Sequence, residues 1–158
     1  MIPCTIKNIV KVAVVERHKR TGNICVGFVG VFGLKKGAVA SSVAHDSHNI
    51  IVIGVDDTDM AVAVNALADV GGGIVAVQDG ETMGLLELPI AGLMADEMSE
   101  IVCGKIERLQ RAWKTLGCAL DSPFMSLSLL ALPVLPELRI TGKGLVDVKE
   151  FKFISLFV

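Results

Sequence analysis

His45 and His48 stand three residues apart in Ala44-His45-Asp46-Ser47-His48-Asn49, a stretch that holds two of the chain's three histidines. Imidazole passes a proton near neutral pH and ligates borderline metals, and a neighbouring carboxylate such as Asp46 can fix its tautomer. The spacing permits that chemistry without demanding it. A zinc site wants three or four ligands, the remaining histidine is His18, and no Cys-x-x-Cys occurs. Three readings therefore stand open. Asp46, Ser47 and Asn49 make a turn while the histidines hydrogen-bond to backbone; or the loop contributes to an active site or a subunit contact; or His45, Asp46 and His48 hold a metal by themselves.

The loop needs rigid elements on either side. Ala38 to Val43 and Ile50 to Ile53 are runs of small or β-branched residues bounded by Gly37 and Gly54, which predicts two strands with the polar stretch at their ends. Strands are also expected from Ile6 to Glu16 and from Ile24 to Val31, where Gly27 and Gly30 suggest a bulge or a close backbone approach. Arg17 to Asn23 is a polar turn. After Gly54, Asp56, Asp57, Thr58 and Asp59 precede a helical pattern in Met60, Val64 and Leu67, so the acidic cluster is read as capping the first turn rather than as a cation site. Gly71-Gly72-Gly73 closes that helix and opens the strand Ile74 to Val77, the reverse of the order a phosphate loop requires. Residues 50–77 thus read as a strand-helix-strand unit with parallel strands, followed by an Asp79-Gly80 hairpin. Val102, Ile106, Leu109, Trp113 and Leu116 form one helical stripe ended by Gly117, and a short helix from about Phe124 to Leu132, apolar all round, is expected to be buried. Short strands close the chain around Thr141-Gly142-Lys143-Gly144. The fold class is α/β, bordering on α+β: one domain over residues 1–158, with a mixed β-sheet, one parallel strand-helix-strand unit, hairpins and packed helices.

Hydrophobic residues make up 52% of the 158 and aromatics only 4%, with a mean hydropathy of +0.62. Charges or prolines interrupt each apolar run before the roughly 20 residues a bilayer span needs, so no membrane partner is expected. The surplus implies a surface covered by another domain or another copy, and the isolated chain is expected to self-associate as a homo-oligomer. The net charge is −2, with His18-Lys19-Arg20 the one short like-charged run, which argues against a nucleic-acid partner. Cys4, Cys25, Cys103 and Cys118 are scattered, and the start carries no secretion signal, so reduced thiols in the cytoplasm are the expectation.

Several runs go further than composition: AVVERH from Ala13, TGNI from Thr21, FGLKKGAVASSVAHDSHNIIVIG from Phe32, GGGIV from Gly71, LPIAGLM from Leu88, DSPFMSLSLLALPVLPELRIT from Asp121 and GLVDV from Gly144. In order and spacing they resemble the C-terminal region of bacterial and archaeal adenine deaminases, metal-dependent enzymes of the amidohydrolase superfamily. The likeness covers nearly the whole chain to its closing LFV; Val31 and Met98 depart from it, at positions where lysine and proline are common.

The resemblance implies a role in purine salvage and hydrolytic deamination: water activated by a metal centre adds at C6 of adenine, ammonia leaves, and hypoxanthine results. It also implies a binuclear manganese, iron or zinc centre on a (β/α)8 barrel that precedes this region. This chain has no His-x-His and lacks the roughly 250 residues of a barrel, so no metal ligand is assigned here and no cofactor is expected in this chain. The barrel domain is the implied partner and adenine the substrate of the complete enzyme. His45, Asp46, Ser47, His48 and Asn49, with Glu16, Arg17 and His18, are the candidates to face the active-site mouth. No residue is assigned as catalytic. A stand-alone purine-binding or scaffold module pairing with a separately encoded barrel is the alternative, and an independent metallohydrolase using His45, Asp46 and His48 is a third reading.

Overall fold

The structure, a computed structural model, describes residues 8–19 and 21–157. Cys4, the expected start of the first strand at Ile6, Arg20 of the short basic run and Val158 lie outside the described residues.

The apolar runs flanking the histidine loop become β3 (Ala38–Ser41) and β4 (Ile50–Gly54), paired antiparallel with Ala38 opposite Gly54 and Ser41 opposite Ile51. Every residue of both strands is buried, as expected where small and β-branched side chains meet packing on both faces. They form the centre of a six-stranded sheet with β1 (Val10–Val15), β2 (Ile24–Val29), β5 (Gly73–Gln78) and β6 (Glu81–Glu87), in the order β2-β1-β4-β3-β5-β6.

Between β4 and β5 runs α1 (Asp57–Asp69). The strand-helix-strand unit forms, and β4 and β5 point the same way, but β3 lies between them and each pairing in the sheet is antiparallel. The short loop after β3 keeps it hydrogen-bonded to β4, so the crossover through α1 has to step over it. Asp56 caps the helix by accepting from the Thr58 and Asp59 N–H groups at 2.8 and 3.0 Å. Asp59 is buried and accepts from the N–H of Asp79 at 3.2 Å and of Gly80 at 2.7 Å, which ties α1 to the β5–β6 turn. These two carboxylates of the acidic cluster thus serve backbone amides, as expected of a helix start.

Alternation along the strands separates two cores. On one face Ala13, Ala40, Val52 and Val75 pack against Met60, Ala63 and Leu67 of α1. On the other, Val12, Val14, Ile51 and Ile53 meet α2 (Ser99–Leu116) and α3 (Pro123–Leu129). Trp113 of α2 is 1% exposed and sits in an aromatic cluster, its ring 6.2 Å from Phe32 and 5.4 Å from Phe124. Gly117 ends α2 in the left-handed conformation at φ 105°. The expectation that the short helix is buried all round does not hold: α3 buries Pro123, Leu127 and Ser128 but leaves Met125 55% exposed, since only one side of it meets the sheet.

A second sheet of β7 (Leu138–Thr141), β8 (Gly144–Asp147) and β9 (Lys152–Ile154) shares this second core through Ile140 and Leu145. It explains Gly27: a Cβ there would stand 3.3 Å from the Leu145 side chain, the close approach the sequence suggested. With two antiparallel sheets, three helices and no closed barrel among the described residues, the α/β to α+β class holds. Leu67 is fully buried beneath α1. Leu67→Ala is expected to cost about 2–5 kcal/mol of stability, read from urea unfolding, because it opens a cavity between helix and sheet.

Candidate functional site

Strands β3 and β4 are buried on both faces, with Ser41 at the end of β3 their one polar side chain, so the more polar residues between them emerge at one end of the sheet. The His48 N–H donates to the Ala44 carbonyl at 2.7 Å, and His48 takes a left-handed φ of 50° to close the turn. Asn49, at the base of the loop, is 7% exposed.

The Glu16-Arg17-His18 segment leaves β1 at the same end and fastens this loop. The Arg17 Nε donates to the His48 carbonyl and its Nη2 to the Ala91 carbonyl, each at 2.6 Å, while its backbone N–H reaches the Asn49 Oδ1 at 3.4 Å. Gly92 gives the guanidinium room, since a Cβ there would lie 2.6 Å from the Arg17 Nη2. One side chain therefore joins three loops. His18 Nε2 donates to the Ser47 carbonyl at 2.7 Å, an acceptor that fixes which nitrogen bears the proton. The Glu16 carboxylate accepts from the N–H groups of His18, Lys19 and Thr21 at 2.6, 2.7 and 3.2 Å. The amide of Lys19, with those of Thr21 and His18, holds that carboxyl below the usual range against the opposing effect of burial.

The two segments marked in the sequence thus become one constellation. Glu16, His18, Asp46, Ser47 and Asn49 line a cleft of about 670 Å³ with Lys19, Thr141, Gly142, Lys143, Val146 and Phe153. Arg17, His45 and His48 do not line it; Arg17 braces it, and the two imidazoles pack edge to face with centroids 5.7 Å apart. The β7–β8 turn with Thr141, Gly142 and Lys143, where the sequence predicts only short closing strands, joins the site. Its signal was a cation between two glycines.

Burial lowers the pKa of His48, and the nearby charges of His45, Arg17 and His18 reinforce this against Asp46. Its Nδ1 is buried and has no hydrogen-bond partner. Among the described residues no three His, Cys, Asp or Glu side chains converge on a point a metal ion could occupy. His45, Asp46 and His48 do not fit a metal centre of their own.

Nearly the whole chain matches known proteins. Residues 2–152 match the profile described as the adenine deaminase C-terminal domain. The adenine deaminase of Desulfatibacillum aliphaticivorans is 61% identical over 150 residues, covering 95% of this chain and 26% of that protein. Those of Moorella thermoacetica and Brucella abortus are 58% and 51% identical, each over 94% of this chain and about a quarter of their own length. The chain belongs to the adenine deaminase C-terminal domain family. It spans about a quarter of the length of the curated relatives it matches.

In this adenine deaminase C-terminal domain the brace and the histidine it steadies can be tested separately. Arg17→Ala is expected to cost about 1–2 kcal/mol by urea unfolding and to speed amide exchange in residues 44–49, because two carbonyls lose a charged donor. Arg17→Lys is not expected to restore either, since an ammonium cannot span both acceptors. His48, with its pKa lowered by folding, takes up a proton less readily folded than unfolded. Stability is accordingly full above the unfolded value near 6.5 and falls as pH drops below it toward the depressed folded value. NMR titration of the His48 ring is expected to show that lowered midpoint, and His48→Asn, which tolerates the left-handed backbone, to flatten the loss of stability as pH falls below about 6.5.

Proposed function

We propose that this domain serves an adenine deaminase, in which adenine and water give hypoxanthine and ammonia, and that the hydrolytic centre lies in the greater part of the enzyme outside this chain. The observation that carries the reading is the match of residues 2–152 to a domain that makes up about a quarter of proteins named adenine deaminase. A binuclear manganese, iron or zinc centre, which the resemblance implies, then belongs to the barrel portion. On this reading the domain helps form the mouth of the site. The purine edge presents an amino donor and ring-nitrogen acceptors; the Asp46 carboxylate can accept from the first, and the Asn49 amide and Lys143 ammonium can donate to the second. Arg17, Glu16 and His18 hold these groups in place through the backbone contacts described above.

The reading carries with it a cytoplasmic enzyme of purine salvage, working as a single C-terminal domain joined to its barrel. Assembly as a homo-oligomer is supported by Leu138, Phe151 and Phe153 of the small sheet and its β8–β9 turn, which are 51%, 89% and 61% exposed. A stand-alone purine-binding module paired with a separate barrel is the second reading, favoured by a cleft built entirely from this chain. The two part on affinity: only the second expects this chain by itself to bind adenine in a calorimeter.

Supplied with adenine and manganese, the chain alone is expected to release no ammonia above background. Joined to the preceding portion of a deaminase, it is expected to support turnover, with Asp46→Ala raising KM about tenfold and changing kcat less. Enzymatic ammonia release from the chain alone would place the catalytic machinery in these residues and overturn the proposal.

A further inference from the structure

Among the described residues α1 leaves one edge of its face of the sheet uncovered. It packs on β3, β4, β5 and β6, and the β1–β2 edge beyond it stays open. The register sets Val15 opposite Ile24, Ala13 opposite Val26 and Lys11 opposite Phe28, so Ile24, Val26 and Phe28 form a row on that open side. They are 60%, 39% and 54% exposed. A groove of about 490 Å³ runs between Ile24 and Val26 of this row and α1, floored by Ala13, Val15 and Val52 and walled by Met60 and Val64. The Lys11–Asp57 ion pair lies at its rim. From Ile24 to Val29 the edge strand carries no charged residue and no proline, the usual means of keeping an edge from pairing.

We propose that this open edge is the docking surface for the preceding portion of the adenine deaminase, a proposal that rests on the function inferred above. This chain makes up 26% and 25% of two relatives and matches a C-terminal domain, so in proteins of that length most of the polypeptide comes before the position of β1. β1 is the floor of the groove. At one end lies Lys11, near the start of β1. At the other lie Val15 and Ile24, next to Glu16 and Asn23, which line the polar cleft. A body seated in the groove therefore reaches the rim of the histidine loop. An apolar strip bordered by polar groups has the anatomy of an interface.

The test joins the preceding portion of the Desulfatibacillum aliphaticivorans adenine deaminase to this chain and compares it with the chain alone by carbene footprinting and mass spectrometry. Labelling of Ile24 and Val26 is expected to fall severalfold in the joined protein, and that of Ile24 to return to the level of the isolated chain in the Val26→Asp variant, since Val26 lies outside the core. Equal labelling in both proteins would overturn the proposal. So would labelling that falls in the chain alone as its concentration rises, because the occupant would then be a second copy. Ammonia release from adenine, measured on the same samples, separates the two inferences. Protection without release removes the proposed function and leaves the docking surface; release without protection does the reverse.

Discussion

Strands β3 and β4 have apolar neighbours on both faces, and the rest of the molecule follows from that. Each Val or Ile fully buried there is worth about 1.5–3 kcal/mol relative to exposure, whereas a buried polar group without a partner costs about 1–3 kcal/mol. A strand pair of this kind cannot carry its polar residues along its length, so they gather at the end, in residues 44–49. Even Ser42, wholly buried, is kept by bonds that stitch loops together: it receives the Gly73 N–H at 2.7 Å and donates to the Gly92 carbonyl at 2.6 Å. The same rule accounts for Ala38 and Ala40 on the α1 side, where small side chains let the helix lie close to the sheet.

A loop expelled from a core still needs something to hold it, and Arg17 does so. Its guanidinium offers donors in a rigid fork, and the acceptors it finds are carbonyls from two different loops. That choice has an electrostatic consequence. Burial, then His45, lowers the pKa of His48, and the Arg17 cation under the loop adds to the same direction, so the side chain that positions the backbone of His48 also disfavours a charge on its ring. Stability and chemistry here rest on the same contact.

Much of this was legible in the sequence, for reasons that differ by element. The strands beside the histidine loop, the capped α1 and the stripe of α2 announce themselves through side-chain period and local capping, which act within a few residues. The place of β3 between β4 and β5 does not, because period gives a strand's face and never its neighbour. Arg17 could be picked out as a polar residue of a likeness-bearing segment, but its acceptors are 31 and 74 positions away. Lys143 joins the cleft through the β7–β8 hairpin, at a distance in sequence that no spacing rule spans. The α3 helix was misjudged because uniform apolarity says that a helix is covered without saying by what, and Met125 faces away from this chain's own core.

That last point applies to the whole apolar surplus. A mean hydropathy of +0.62 would be unremarkable if its side chains lay inside, yet Ile24, Phe28, Met125 and Phe153 are each more than half exposed. Apolar area buried at an interface returns about 25 cal/mol per Å² before the costs of association are met, so a face of this kind gains most from a partner already tethered nearby, where those costs are smallest. The polar cleft lies at the border of that face. On the docking proposed above, closing the face would exclude water from its edge, and in the lower dielectric the charges of Asp46 and Lys143 would act more strongly on a ligand held between them. On that proposal the hydrophobic strip and the polar loop are two parts of one arrangement, the first making the second effective.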